Sequence, residues 1–194
     1  MSNGNTKDQI LKIARDLLAT DGLSAVSFDA IAARLGRTKQ AVLYWYPSKH
    51  DLLSAMFLPS LEAEATAATR SVAGATSRDQ AIEAFVRSVA AFHLQDLDRF
   101  RMMYLLPQTI KPSAGEPYSV GLLAKVHPVT DRMYAALAEN LTGDPKGARE
   151  QALAIHAAVL GLVLMCGLAE SVKDPLTHSV SDLVEALITS FTTA

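Results

Sequence analysis

The side chains best suited to a chemical task lie between Ser27 and Lys49. Four of them are basic, and no acidic residue occurs between Asp29 and Asp51. Hydroxyl, phenol and ammonium groups bind phosphate oxygens, glutamine can pair with adenine, and lysine can donate to guanine. This stretch therefore predicts an interface with DNA, whose candidate contact residues are Ser27, Arg37, Thr38, Lys39, Gln40, Tyr44 and Lys49.

The elements that would position these groups are two short helices joined by a turn. Ser27 and Thr38 are residue types that cap helix N-termini, Gly36 permits a tight turn, and Pro47 ends the second helix. A second helix of this kind enters the major groove with its N-terminal residues at the base edges. Lys39 and Gln40 are therefore the predicted base readers, and phosphate contacts are expected from Ser27, Thr38, Tyr44 and Lys49.

Alternative roles remain open for several of these side chains. Arg34 and Arg37 are equally compatible with solvated surface charge, and Lys49 could simply be a charge at a helix start. We expect Trp45 and Tyr46 to pack against the first and fourth helices and not to touch DNA. A helix-turn-helix that serves packing alone is the least favoured alternative, because the local charge is positive.

Capping residues and apolar spacing predict about nine helices and hence an all-α fold. Capping boxes are expected to open the first helix at Thr6 and the fourth helix at Ser48, with Asp51 as its partner. A sixth short helix is expected to end at Pro107. Residues 108–117 are expected to form a loop, and the following helix to break at Pro128. Asp144 as N-cap and Pro145 at the first helical position predict a long helix that runs to about Val172. Its uncharged apolar run, Ala157 to Ala169, is predicted to be deeply buried.

Composition narrows the class of protein. Residues 1–58 carry seven Lys or Arg against five Asp or Glu, whereas the rest carries eleven against fifteen. A basic-leaning front end on an acidic body suits a nucleic-acid module joined to a second module. The single Cys166 and the polar N-terminus predict a cytoplasmic protein, with the thiol inert in the core. No phosphate loop, nucleophile elbow or metal-ligand spacing occurs, so we expect no enzyme activity, cofactor or metal.

Six runs near the N-terminus keep a specific order and spacing: Ile31-Ala32, Leu35-Gly36, Thr38-Lys39, Leu43-Tyr44, Tyr46-Pro47-Ser48-Lys49 and Asp51-Leu52-Leu53. This pattern resembles the N-terminal domain of TetR-family transcriptional regulators and covers about the first quarter of the chain. Leu43 departs from it, because the family commonly has there a tyrosine that touches phosphate. The resemblance implies a DNA-binding domain at 1–50 and a helical regulatory domain at 51–194, which usually holds a small-molecule pocket and a two-helix dimer face.

The C-terminal body offers candidates for both of those features. Small residues four apart let helices approach closely, and we expect a subunit interface at Ala157, Gly161, Leu164, Leu183, Leu187 and Phe191. An ordinary intrachain core is the alternative. Aromatic, thioether and imidazole groups suit a mostly apolar pocket. The candidate lining residues are Phe92, His93, Phe100, Met103, Tyr104, Tyr134, His156 and Met165.

The leading hypothesis is a sequence-specific transcriptional regulator, a homodimeric repressor that leaves a palindromic operator when it binds a small hydrophobic or amphipathic ligand. The alternative is a constitutive DNA-binding regulator whose C-terminal domain serves protein contacts without an inducer. The longest uncharged apolar run has 13 residues, which is too short to span a bilayer, so we expect no membrane partner.

Overall fold

The computed structural model describes residues 3–109, 120–174 and 178–193, and these contain nine α-helices and no strand. The all-α prediction is therefore confirmed. Short 3-10 turns lie at Leu23–Ala25 and Leu106–Thr109, and a π-helical turn at Arg101–Leu105. The helices are α1 Asn3–Asp21, α2 Phe28–Leu35, α3 Lys39–Trp45, α4 Lys49–Val72, α5 Arg78–Leu94, α6 Leu97–Phe100, α7 Val120–Ala138, α8 Pro145–Val172 and α9 Val180–Thr192.

The chain divides into two compact units. The first comprises Met1–Ser60 and Arg101–Lys125, and the second comprises Leu61–Phe100 and Val126–Ala194. Since Leu52, Leu53 and Met56 belong to the hydrophobic core of the first unit, the packing of α1 to α3 depends on the first turns of α4. The functional boundary at residue 50 stays a prediction.

The first unit owes its local form to well-capped short helices. Ser27 caps α2 and Thr38 caps α3, as predicted. Gly36 ends α2 with φ +66°, a left-handed conformation that is costly for a residue with a side chain. Ser48 and Asp51 exchange hydrogen bonds at the start of α4, which confirms the capping box predicted there.

The second unit is built around α5, α8 and α9. Its core contains Phe85 of α5, Met133 of α7, Val159 of α8 and Val184 of α9, all buried. Asp144 caps α8 through the N–H groups of its second and third residues, and Pro145 occupies the first helical position. These signals were correctly read from the sequence.

Three sequence predictions about helix ends are wrong. The first helix starts at Asn3, so Thr6 lies inside it and does not cap it. The helical stretch that begins with α6 does not end at Pro107 but continues into the 3-10 turn at Leu106–Thr109. Pro107 is the second residue of that turn, where its missing N–H needs no partner. Helix α7 continues through Pro128. The proline has no N–H for the carbonyl of Ala124, but both residues are exposed, so water can satisfy that carbonyl. The predicted loop lies outside the described residues from 110 onward.

Helix α8 is also less buried than predicted. Cys166 lies in the core and burial raises the pKa of its thiol, as expected for an inert cysteine. One face of the helix, however, exposes large apolar side chains, namely Leu153, Leu164, Met165, Leu168 and Val172. Length and composition alone would let α8 cross a membrane, with a mean hydropathy of 2.3 over 18 residues. Within the second unit it packs against α5 and α9.

Candidate functional site

The N-terminus of α3 is presented to solvent on a short, firmly capped turn. The Thr38 hydroxyl accepts a hydrogen bond from the Ala41 N–H at 3.3 Å, and the Ser27 hydroxyl accepts one from the Ala30 N–H at 3.1 Å. Thr38, Lys39 and Gln40 are all exposed. The start of α3 therefore carries polar groups on a defined backbone, and each cap hydroxyl accepts within the chain while keeping its own hydrogen to donate.

Two of the basic side chains are paired with acids that precede the segment lacking acidic residues. The Lys39 Nζ atom lies 2.8 Å from Asp29 Oδ2, and Arg34 lies 3.2 Å from Asp21 Oδ2. The expectation of unopposed positive charge, drawn from the sequence, is therefore wrong for these two residues. The fold brings Asp21 of α1 close to a basic side chain 13 residues away, and Asp29 of α2 close to one 10 residues away.

The other predicted DNA contacts have distinct environments. Arg37 and Gln40 are exposed, and Arg37 has no ion-pair partner among the residues that the structure describes. Tyr44 is 78% exposed and leaves its phenol accessible to solvent. Lys49 is half-buried as the first residue of α4. These four residues and the start of α3 all belong to the first unit.

The remaining aromatic residues of α3 and its C-cap serve the core. Tyr46 is buried, and Trp45 packs against the same hydrophobic cluster, which confirms the packing role predicted for both. Burial, followed by the charge of Asp8, raises the pKa of Tyr46. The Trp45 ring meets the Tyr44 ring edge-on at 5.2 Å, so a packed residue supports the exposed phenol. Leu43 is half-buried and offers no hydroxyl.

A buried polar cluster occupies the second unit and joins four helices. Glu64 Oε1 of α4 lies 2.9 Å from His93 Nε2 of α5 and 3.0 Å from His156 Nε2 of α8. Tyr134 of α7 places its hydroxyl 3.0 Å from His156 Nδ1. Glu64, His93 and His156 are all buried. The carboxylate accepts from both imidazoles, so a charge that would be costly in the core is satisfied by hydrogen bonds.

The cluster alters the acidity of its members. Burial alone would raise the pKa of Glu64, but hydrogen bonds from His156 and His93, and their charge, lower that pKa to about 2. Burial, aided by the Glu64 charge, raises the pKa of Tyr134 to about 12. At neutral pH the cluster therefore holds a buried carboxylate and an un-ionised phenol.

The predicted pocket residues are only partly brought together. His93, Tyr134 and His156 meet in the cluster, while the Phe92 and Phe100 rings lie 5.1 and 5.4 Å from the His93 ring. Met103 and Tyr104 belong to the first unit, and Met165 is 60% exposed on α8. The ligand-pocket assignment stays a prediction.

Sequence reasoning missed Glu64, although a signal for its burial exists. Leu61, Ala65 and Ala68 recur at helical spacing on α4, and Glu64 falls on the same face. No group of three or more His, Cys, Asp or Glu side chains within the described ranges has the arrangement of a metal site. A separate open cavity of about 380 Å³ lies where α7 and α8 are joined, and none of the predicted pocket residues lines it.

The predicted interface residues lie on the outer side of α8 and α9. Ala157, Gly161 and Leu164 are exposed, and they continue the apolar face of α8 described above. Leu183, Leu187 and Phe191 of α9 are half-buried, whereas Val184 and Ile188 of the same helix enter the core. The face is apolar and uncovered in the single chain.

Comparison with known proteins agrees with the geometry of the first unit. Residues 10–56 match the model of the family described as bacterial regulatory proteins, tetR family. No curated protein matches the sequence. The fold is similar to that of a candidate regulatory protein, SCO4313, at 16% identity with a TM-score of 0.74, covering 98% of this chain and 97% of that one.

Two further solved structures share the fold over nearly the full length of both chains. One is a bacterial regulatory protein in the tetR family from Rhodococcus RHA1, at 18% identity with a TM-score of 0.63, covering 97% and 96% of the two chains. The other is the fatty acid degradation regulator FadR from Bacillus halodurans, at 16% identity with a TM-score of 0.63, covering 97% and 95%. At these identities the likeness shows the fold alone.

Proposed function

We propose that this chain, whose residues 10–56 match the tetR-family model of bacterial regulatory proteins, is a DNA-binding transcription regulator of that family. In this proposal it is a homodimeric repressor that a small-molecule ligand releases from a palindromic operator. The observation that supports the DNA contact is the exposed, capped start of α3, which carries Lys39 and Gln40. In a helix-turn-helix, residues at the start of the second helix contact base edges. Arg37, Tyr44 and Lys49, with the N-termini capped by Ser27 and Thr38, would hold the phosphates.

The uncovered face of α8 supports a dimer. Its apolar side chains and the half-buried residues of α9 form one apolar surface. Contact between two copies would remove that surface from water, which favours association. A dimer presents two recognition helices, and two half-sites would then lie one helical turn apart, about 34 Å, or more. A contact of this kind would account for the high hydropathy of α8.

Selection of binding sites from a random duplex pool tests the DNA-binding proposal. Purified full-length protein should enrich an inverted repeat whose half-site centres are at least about 34 Å apart. Enrichment of a single half-site would argue against the dimeric arrangement. Recovery of no preferred sequence at all would contradict sequence-specific regulation.

The buried cluster supports the ligand part of the proposal. A ligand that offered new hydrogen bonds to His156 or Tyr134 would compete with existing ones, and could thereby favour one arrangement of the four helices. Helix α4 carries Glu64. Its first turns also carry Leu52, Leu53 and Met56, which share a hydrophobic core with Val42 of α3. A shift of α4 is the proposed route by which a bound ligand would alter the affinity for DNA.

Native mass spectrometry of the purified protein, followed by DNA-binding assays, separates this mechanism from constitutive binding. We expect a co-purified small molecule whose removal strengthens operator binding and whose return weakens it. Tyr134→Phe should reduce that response while leaving the ligand-free affinity for DNA unchanged. Operator binding that no retained molecule alters would favour the constitutive regulator with protein partners.

A further inference from the structure

The recognition helix carries an acid-base pair at the point where bases would be read. Asp29 lies in the first turn of α2, and Lys39 is the first residue of α3. Their charged atoms are 2.8 Å apart, with the side chains 71% and 49% exposed. The pair thus connects the two helices of the motif on the solvent side.

Such a pair contributes little to stability. Exposed ion pairs add little to the free energy of unfolding, because water screens them and two flexible side chains lose freedom. Buried residues of α2 and α3, including Ile31 and Val42, already join these helices. The placement of Lys39 is also electrostatically unfavourable on its own, since the N-terminus of a helix favours negative charge. Asp29 compensates for that placement and restrains the ammonium group.

The pair has a consequence for DNA affinity. A free lysine at this position would add one phosphate contact on any sequence, because binding to phosphate depends on charge alone. An adjacent carboxylate cancels that attraction. Only a guanine edge that offers directed acceptors to Lys39 compensates for breaking the pair.

We propose that Asp29 is a specificity-determining positioning residue, which suppresses sequence-independent DNA binding by holding Lys39 until a matching base is present. This inference rests on the proposed function, since it assumes that Lys39 faces DNA. Asp29 itself touches no base in this scheme and acts through Lys39.

The test compares Asp29→Asn with Asp21→Asn. Both variants remove one negative charge from an exposed pair in the same unit, but Asp21 pairs with Arg34, outside the start of α3. Affinities are measured by fluorescence anisotropy for the pool-selected duplex and for a scrambled duplex, over a series of salt concentrations. Circular dichroism and Trp45 fluorescence verify that both variants fold.

Asp29→Asn should strengthen binding to the scrambled duplex by about three- to tenfold and steepen its salt dependence by about one unit in log–log slope. Binding to the selected duplex should change less, so the ratio of the two affinities falls. Asp21→Asn should leave that ratio unchanged. Equal effects of the two variants, or an unchanged ratio in Asp29→Asn, would overturn the inference alone. A wild-type protein without sequence preference would overturn the proposed function as well.

Discussion

At the scale of single residues, Glu64 is a buried carboxylate whose charge must be satisfied within the protein. A carboxylate with no exposure to water is unfavourable unless its lone pairs are satisfied, and here two imidazole N–H groups from different helices satisfy them. The strength of these bonds is expressed in the low pKa of Glu64, about 2. Removal of the carboxylate should therefore weaken the second unit, and the effect should depend on pH.

The sign of that dependence follows from the direction of the pKa shift. A carboxyl whose pKa is lower in the folded protein stabilises the fold above its unfolded pKa of about 4.5, and the stabilisation is lost as pH falls towards 2. Glu64→Gln should thus lower the free energy of unfolding by about 2–3 kcal/mol at pH 7 and by much less near pH 3. Urea unfolding followed by circular dichroism measures both.

Glu62→Gln is the matched control for this prediction. Glu62 lies two residues away on the same helix and pairs with Arg132 at 2.7 Å, but half of its side chain is exposed. Its replacement should change stability by no more than about 1 kcal/mol at either pH. If Glu64→Gln matched this control at pH 7, the cluster would not be a stabilising network.

At the scale of elements, the position of α3 depends on the turn before it. Gly36 has φ +66°, and no atom lies within 4 Å of the position where a Cβ would be added. Space is therefore available, and the cost of a side chain is conformational only. The turn fixes where Thr38 caps α3. A side chain added at Gly36 should therefore strain the backbone and destabilise the first unit.

Gly36→Ala should lower the stability of the first unit by about 1 kcal/mol, because a left-handed backbone is unfavourable for L-residues. Gly36→Asn should cost less, since asparagine tolerates this conformation better. Trp45, the only tryptophan of the chain, packs on the core of this unit, and its fluorescence reports unfolding there. Equal midpoints for wild type and Gly36→Ala would show that the turn is not strained by a side chain.

Most elements could be predicted from the sequence because their signals are local. The caps Ser27, Thr38 and Asp144 and the turn at Gly36 act within four residues, and all were located correctly. The failures arise where solvent or distant residues decide. Continuation through Pro128 depends on exposure, and the Lys39–Asp29 pair depends on how two helices meet. The Glu64 cluster needs four helices to be in place before its residues become neighbours.

At the scale of the whole molecule, the proposed dimer makes a prediction about the apolar face of α8. Leu164 and Leu168 are 43% and 53% exposed on the apolar face of α8, and neither is part of the buried core. Leu164→Glu and Leu168→Glu should therefore leave the single chain folded while placing a charge in a subunit contact. Burying an unpaired charge in that contact costs several kcal/mol, which should shift the protein to monomer.

Size-exclusion chromatography with light scattering checks this prediction. The control is Ala63→Glu, at an exposed site on α4 that does not belong to the α8 and α9 face. It should leave the oligomeric state unchanged. Dimers that persist in both leucine variants would contradict an interface formed by this face of α8.

The central claim is that α3 reads DNA sequence through Lys39 and Gln40. The most direct measurement is the affinity of Lys39→Ala and Gln40→Ala for the pool-selected duplex and for its scrambled counterpart, with folding verified by circular dichroism. Each variant should lose about 1–3 kcal/mol of discrimination between the two duplexes while helicity and dimer mass stay at wild-type values. Variants that fold normally and still discriminate as well as wild type would contradict the claim.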